Sequence, residues 1–296
     1  LQRLLGDYES ALASLEKAIE QARLTGYLRL EAYALASIGD LYTVMDSLTQ
    51  AMDAYQQARA LLNRLQENWL MVYVCLKQAV IFSLQGQEVA AGQLFAEAGL
   101  LARDHQSEYE LHLCALEEAR AHFFRKAYAD CLRLAQPCVD FFEASGQHVE
   151  SLQARLFAAA ARINLGEASL GEEDGALDNL QKAFELASAI NLRKAVLPAV
   201  RQVLPALAAV ENTALLEPYI AFFRAESNEF DKHVAVLKRQ IRRQVTVVPI
   251  APARLSICAF GRPRVALNER EIRGDDWVSQ TARDLFFFLL AHQDGV

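Results

Sequence analysis

Histidine, cysteine and paired carboxylates carry much of protein chemistry, and here none of them falls into a catalytic or metal-binding pattern. The six histidines never pair with one another or with a cysteine at metal-ligand spacing, and no HExxH sequence occurs. His112 and His122 are too far apart along one helical stretch to share a metal. Adjacent carboxylates such as Glu117 and Glu118 diverge by about 100° on a helix, so they do not converge on one substrate. We therefore expect no enzyme activity, no metal site and no cofactor.

One basic cluster could bind phosphates, although the chain has no GxxxxGK[ST] or GxGxxG loop. A helix expected over 228–244 carries five cations, namely Lys232, Lys238, Arg239, Arg242 and Arg243. The last four are candidates for contacts with a nucleic-acid backbone. The same residues are also typical of a solvated capping helix, because cations near a helix C-terminus interact favourably with its dipole. Both interpretations stay open from the sequence.

Composition narrows the class of protein further. A hydrophobic content of 53% over 296 residues is ample for a core, and the low counts of Gly (13) and Pro (7) disfavour an all-β fold. The five cysteines are odd in number and include no CxxC pair, which favours a reducing cytoplasm. No apolar run reaches the roughly 18 residues that a membrane span needs. We expect a cytoplasmic protein with no membrane partner.

The net charge of −7 hides an asymmetry along the chain. Residues 1–226 hold 19 basic and 29 acidic residues, a net charge of −10, whereas residues 227–296 hold 11 and 8, a net charge of +3. Non-specific nucleic-acid binding needs clustered Lys and Arg. Any role in nucleic-acid binding is therefore expected at the C-terminal end, and the acidic part is expected to bind proteins or small effectors.

The sequence also repeats itself with a period of about 40 residues. Small, large and small residues recur at i, i+4 and i+7, the spacing of one helix face against a close neighbour. These positions are Ala11, Leu15 and Ala18; Ala51, Tyr55 and Ala58; Ala91, Phe95 and Ala98; and Cys131, Ala135 and Cys138. The preceding helix repeats as well, with Ile38, Gly39 and Tyr42 followed 40 residues later by Gln78, Ala79 and Phe82. A fifth copy, shifted by an insertion at 167–174, reaches Ala183.

These positions resemble the tetratricopeptide repeat, and the longer unit is similar to the repeats of bacterial transcription regulators of the maltose-activator type. The resemblance covers about residues 1–190 and implies an all-α, right-handed superhelix of helix pairs. The chain begins inside a unit, so we expect it to be part of a longer protein. An unrelated α-solenoid or helical bundle is the alternative.

The resemblance further implies a concave groove lined by the first helix of each pair. Carried over to this sequence, the groove positions include Tyr33, Asp40, Tyr73, Leu76, Val80, Leu116, Arg120 and Phe123. Such a groove is largely apolar and aromatic, which favours an apolar peptide helix, a domain of the same protein or a small effector. Alternatively, several of these side chains pack against the following helix instead of facing a partner.

After the repeats the pattern changes. The sequence predicts a helix pair over Leu192–Val210 and Thr213–Ala225, a basic helix over Asn228–Gln244, and an extended connector containing Pro249 and Pro252. Strands at 255–260, 264–267 and 271–272 then precede Trp277 and a helix at 279–292.

The order of these last elements resembles the opening of the winged-helix DNA-binding domain of bacterial activators of the antibiotic-regulatory type. That family continues into a second helix, a recognition helix and a wing, so no base-reading residue can be named here. We expect the apolar side of 285–290 to lie exposed and to favour contacts between copies, such as a homodimer.

Four segments follow from these patterns: a repeat superhelix at 1–226, a basic capping helix at 227–244, a linker at 245–253, and a partial winged-helix α/β segment at 254–296. The resemblances imply the sensory scaffold of a transcription regulator, which relays the binding of a partner or effector to a completed DNA-binding domain. The alternative is a stand-alone interaction scaffold with no role in DNA binding.

Overall fold

The structure is a computed structural model that describes residues 7–65, 68–166, 175–189, 193–207, 217–244, 247–248, 255–258, 264–267, 270–277 and 279–291. These residues are mostly helical with one small sheet, which confirms the predicted fold class at this level. The predicted insertion at 167–174 and most of the predicted linker, including both of its prolines, lie outside the described residues. The chain divides into two compact units, Leu1–Ile250 and Ala251–Val296.

The first unit consists of helices packed mainly on their neighbours in the chain. They are α1 (Tyr8–Thr25), α2 (Leu28–Val44), α3 (Leu48–Leu65), α4 (Asn68–Leu84), α5 (Glu88–Asp104), α6 (Glu108–Phe124), α7 (Tyr128–Ala144), α8 (His148–Asn164), α9 (Ala176–Ala189), α10 (Arg193–Leu207) and α11 (Glu217–Gln244). From α1 to α8, each helix begins 20 residues after the one before it.

The described turns between these helices share one backbone conformation. A residue with left-handed φ stands at positions 26, 46, 86, 106, 126, 146 and 166. The following N–H bonds back across the turn, as in Tyr27 to the Ala22 carbonyl (2.8 Å) and Ser47 to the Tyr42 carbonyl (2.8 Å). This arrangement satisfies carbonyls that a helix end leaves without partners. The chain can therefore reverse its direction within three residues.

Most of the small and large positions of the repeat are buried between helices. Ala51, Tyr55 and Ala58 are fully buried, as are Ala98 and Cys138 at equivalent positions in the later copies. In the first copy Leu15 and Ala18 are only half-buried. Gly39 on α2 lies against the ring of Tyr55 on α3, where an ideal Cβ would stand 2.5 Å from the Tyr55 Cε1 atom. A side chain at this position would force the two helices apart.

The last helices of the first unit differ from the sequence prediction. In place of two helices meeting near 226, α11 is one helix of 28 residues that crosses that position without a break. No Gly or Pro lies between positions 219 and 244 to end it, and Ser227 is buried. Pro198 and Pro205 both lie inside α10, which continues through them.

Residues late in the first unit pack on its earliest helices. The rings of Phe230 on α11 and Tyr8 on α1 lie 5.5 Å apart in an edge-to-face arrangement. The buried hydroxyl of Tyr42 donates a hydrogen bond to the Val248 carbonyl, and the Val247 N–H donates to Glu16 Oε1 at 3.5 Å. These contacts join residues more than 200 positions apart, so α11 and residues 247–248 belong to the same packed body as α1 and α2.

The second unit contains an antiparallel sheet of order β1-β2-β3, made of β1 (Leu255–Cys258), β2 (Arg264–Leu267) and β3 (Arg270–Glu271). A 3₁₀ turn at Gly274–Asp276 and helix α12 (Gln280–Ala291) follow. Ser256 lies opposite Ala266, and Ala266 lies opposite Glu271. Strands and helix occur in the predicted order, and positions 259 and 260 of the first predicted strand lie outside the described residues.

Helix α12 presents apolar residues to solvent, as predicted. Leu285, Phe288 and Leu289 are 55%, 47% and 51% exposed, whereas the ring of Phe286 lies 5.4 Å from that of Trp277. One side of the helix is therefore covered by Trp277, and the other exposes large hydrophobic side chains.

Candidate functional site

The predicted groove residues fall into two groups in the structure. Leu76, Val80, Leu116 and Phe123 are buried, with exposures of 0%, 1%, 2% and 9%. They belong to the two hydrophobic clusters between the helices, because apolar side chains on the first helix of each pair fill the space against the next pair. This corrects the expectation that these four side chains line an accessible groove.

The polar and aromatic members of the prediction remain partly accessible. Asp40, Tyr73 and Arg120 line a single cavity of about 220 Å³, which we call the interhelical cavity. Tyr33 does not line it, and stacks instead on Trp69 with ring centroids 6.1 Å apart. Other residues that line the cavity include Lys77, Gln153, Phe157, Pro198, Arg201 and Gln202.

Helices α2, α3 and α4 supply the first polar group of the cavity. The Asp40 carboxylate accepts hydrogen bonds from the hydroxyls of Tyr55 and Tyr73, each at 2.8 Å. Burial raises the pKa of Tyr55 well above its ordinary value, and the neighbouring Asp40 charge raises it further. Both effects keep the Tyr55 phenol protonated, so it acts as a hydrogen-bond donor over the whole physiological pH range.

A buried ion pair network connects α4 with α6. Glu117 is 2% exposed and accepts hydrogen bonds from Lys77 and, at 3.2 Å, from Arg120 Nη1. Burial alone raises the pKa of Glu117, but the charges and hydrogen bonds of Lys77 and Arg120 outweigh it, and the pKa lies below its ordinary value. Arg120 Nε also donates to Gln202 Oε1 at 3.0 Å, which brings α10 into the network.

Arg201 closes the other side of the cavity and contacts three elements distant in sequence. Its Nη2 atom lies 3.1 Å from Asp46 Oδ2 and 2.5 Å from Asp231 Oδ1, and its Nη1 donates to the Val44 carbonyl at 3.4 Å. The guanidinium also lies 4.8 Å from the centre of the Phe230 ring. One side chain on α10 therefore holds the α2–α3 turn and α11 together.

This arrangement can recognise charge, because cations and carboxylates from several helices line one cavity. The buried cysteines of the helices do not take part in it. Burial raises the pKa of the thiols of Cys75, Cys114, Cys131 and Cys138 to about 12. Such thiols stay protonated and unreactive at neutral pH. Across the described ranges, no three His, Cys, Asp or Glu side chains are grouped so that they could hold a metal ion. The described helices also include none with the length and apolar character needed to cross a bilayer.

Of the residues that line the interhelical cavity, the sequence prediction included Asp40, Tyr73 and Arg120. It did not include Lys77, Gln153 or Arg201. The ion pair of Lys77 with Glu117 could have been predicted from the sequence, because these residues occupy equivalent repeat positions 40 residues apart and carry opposite charges. The groove positions taken from the tetratricopeptide family selected Leu76 in place of Lys77. Neighbouring residues on a helix point about 100° apart, so Leu76 and Lys77 face different surroundings. Arg201 lies outside the repeat pattern and had no comparable signal.

Of the four basic residues predicted to contact nucleic acid, the structure describes the side chains of two, Lys238 and Arg239. Arg239 is exposed, and its Nε atom donates to the Ala235 carbonyl at 3.3 Å. Lys238 is half-buried, and the side chains of Arg242 and Arg243 lie outside the described residues, although their backbone belongs to α11.

Compared with models of known protein families and with curated protein sequences, this chain matches none. The interpretation of the site therefore depends on its own geometry.

Proposed function

We propose that this chain is the sensory and interaction scaffold of a bacterial transcription regulator. In this proposal a tetratricopeptide-like, right-handed superhelix with a period of about 40 residues binds a protein partner or small effector. It relays that binding to a winged-helix DNA-binding domain that begins in the second unit. The protein acts in the cytoplasm, has no enzymatic activity and reads DNA only through the completed domain.

The observation that carries the proposal is the even spacing of the helices. Eight helices from Tyr8 to Asn164 begin 20 residues apart, and each described junction from 26 to 166 uses the same left-handed turn. Arrays of this kind expose long surfaces made from many helices and are widely used for binding. The sequence likeness of Gly39, Tyr55 and Ala58 to the tetratricopeptide pattern supports the same family.

The second unit supports the regulatory part of the proposal. Three antiparallel strands followed by a 3₁₀ turn and a helix are the elements with which the winged-helix family opens. In that family the first helix is covered by the recognition helices, and α12 has large hydrophobic residues suited to this role.

The decisive experiment is a gel shift of the complete gene product on its own promoter region at several salt concentrations. We expect binding that weakens steeply as salt rises, because phosphate contacts release counterions. Removing the residues from 254 onward should abolish the shift. If the complete protein binds no DNA, the stand-alone scaffold is the better interpretation.

A matched pair of variants tests whether α11 contributes to this binding. Changing Lys238 and Arg239 together to Gln should weaken binding and lower the salt slope by about one to two, if both contact phosphates. Arg64→Gln, which removes an exposed cation from α3, is the control. Equal effects of the two changes would indicate that α11 is only a solvated helix.

A further inference from the structure

We propose that the interhelical cavity binds a small anion, either a carboxylate or a phosphate, through Lys77, Arg120 and Arg201. The inference depends on the proposed function, because it names the chemical class of the effector that the scaffold senses. The first observation that supports it is that three cations, one each from α4, α6 and α10, line the same cavity. Each cation is mostly buried, with side-chain exposures of 18%, 14% and 18%.

These cations retain hydrogen-bonding capacity for a ligand. Hydrogen bonds among the described residues occupy one of the three N–H groups of Lys77 and two of the five N–H groups of Arg120. Gln153 also lines the cavity, and its amide makes no hydrogen bond within the described part of the chain. A carboxylate or phosphate offers only acceptors, which matches donors that come from several directions.

The carboxylates around the cavity differ in how firmly they are held. Asp40 is engaged by two tyrosine hydroxyls, and Glu117 is buried between Lys77 and Arg120. Asp46 and Asp231, the partners of Arg201, are 64% and 54% exposed, so they can turn into solvent at little cost. An incoming anion therefore competes with these two exposed carboxylates for Arg201 and leaves the buried pairs in place.

The size of the cavity limits the ligand. A volume of about 220 Å³ corresponds to roughly seven waters at their liquid volume of about 30 Å³ each. Typical pockets for drug-sized ligands start at about 300 Å³. Phe157 and Pro198 provide an apolar wall. These dimensions suit a small carboxylate or phosphate better than a drug-sized ligand.

Binding of an anion in the interhelical cavity would change contacts between helices outside the cavity. Arg201 links the α2–α3 turn to α11, and an anion that takes over Arg201 replaces both links at once. Since α11 directly precedes residues 247–248 and the second unit in the chain, the effector would act on the segment that connects sensing to output.

Isothermal titration calorimetry of the full chain with inorganic phosphate and with succinate tests the proposal, with sodium chloride keeping the ionic strength constant. We expect saturable binding of at least one anion, at one site per chain. Binding of succinate alone would identify a carboxylate ligand, and binding of phosphate alone would identify a phosphate ligand. If neither anion binds saturably up to about 20 mM, the cavity holds only water and the proposal is wrong.

Three variants separate this cavity from other basic surfaces. Arg120→Gln removes one cation, and Gln153→Glu adds a negative charge without breaking an existing ion pair, so each should weaken binding at least about tenfold. Arg59→Gln is the matched control, because Arg59 pairs with Glu97 at 2.6 Å and does not line the cavity. If Arg59→Gln weakens binding as much as Gln153→Glu, the anion binds elsewhere and the proposal is wrong.

The two experiments distinguish a failure of the anion site from a failure of the proposed regulatory role. Loss of anion binding together with intact DNA binding would overturn the effector site alone. Anion binding by a complete protein that fails to bind DNA would overturn the regulator and leave the cavity as the ligand site of a scaffold.

Discussion

Replacing Gly39 by alanine should destabilise the first unit, although the same replacement favours most helices. Gly39 lies in the interior of α2, against the buried ring of Tyr55. An ideal Cβ at this position would stand 2.5 Å from Cε1 and 2.7 Å from Cδ1 of Tyr55. The Tyr55 hydroxyl is held in turn by Asp40 at 2.8 Å, so the ring cannot move away without breaking that hydrogen bond.

Three contributions set the size of this effect. Alanine gains about 1 kcal/mol over glycine in helix propensity. Overpacking a filled interface costs about 1–3 kcal/mol. Breaking the hydrogen bond to the Asp40 carboxylate costs about 1.5–3 kcal/mol more. The net expectation is a loss of about 1.5–5 kcal/mol in the free energy of unfolding.

Gly92 on α5 is the matched control, because a Cβ placed there meets no atom within 4 Å. Gly92→Ala should therefore stabilise the protein by up to about 1 kcal/mol. Urea unfolding followed by far-UV circular dichroism measures both variants. In a Tyr55→Leu background the added methyl group should no longer be destabilising, since the opposing ring is gone. A Gly39→Ala protein as stable as the wild type would refute the close approach of α2 and α3.

Two further predictions concern a buried charge and a strained turn. Glu117→Gln should cost about 1–3 kcal/mol at neutral pH. The folded-state pKa of Glu117 is lower than its ordinary value of 4.5. The ionised carboxylate therefore stabilises the folded state fully above pH 4.5, and this stabilisation is lost as the pH falls through the lowered pKa. Wild type should therefore lose more stability than the variant between about pH 5 and pH 3 in urea titrations, and equal losses would contradict this role. Gln106→Gly should stabilise the protein by about 0.5–1 kcal/mol, because Gln106 has a left-handed φ of 53°. Gly26→Ala, at φ 69°, should do the opposite in thermal unfolding, and shifts of the same sign would disprove the strain.

Much of the helical architecture could be predicted from the sequence. The recurrence of Ala51, Tyr55 and Ala58 at 40-residue intervals identified side chains that are buried between helices. The spacing i, i+4 and i+7 is a local property of helix geometry, so it can be read without knowing the partners. The order of strands and helix in the second unit was predictable for the same reason, since alternation and turn residues act over a few positions.

The accessible residues of the site were harder to predict. Both Leu76 and Lys77 lie on α4, but only Lys77 reaches the cavity, and the sequence pattern alone selected Leu76. The choice depends on the rotation of each helix against its neighbours, which follows from side-chain packing and not from periodicity. The continuity of α11 was also missed, because the sequence prediction placed two separate helices at Thr213–Ala225 and Asn228–Gln244.

Sequence periodicity alone was enough to predict helices α1 to α8 as a repeating series and the small and large residues that pack between them. All of these follow from interactions between residues close together in the chain or one repeat apart. The interhelical cavity was decided only by the tertiary structure, since Arg201 meets Asp46 across 155 positions and Arg120 meets Gln202 across 82. No local pattern encodes these contacts, because they form only after the packing of α10 on α8 and α11 brings distant charges together.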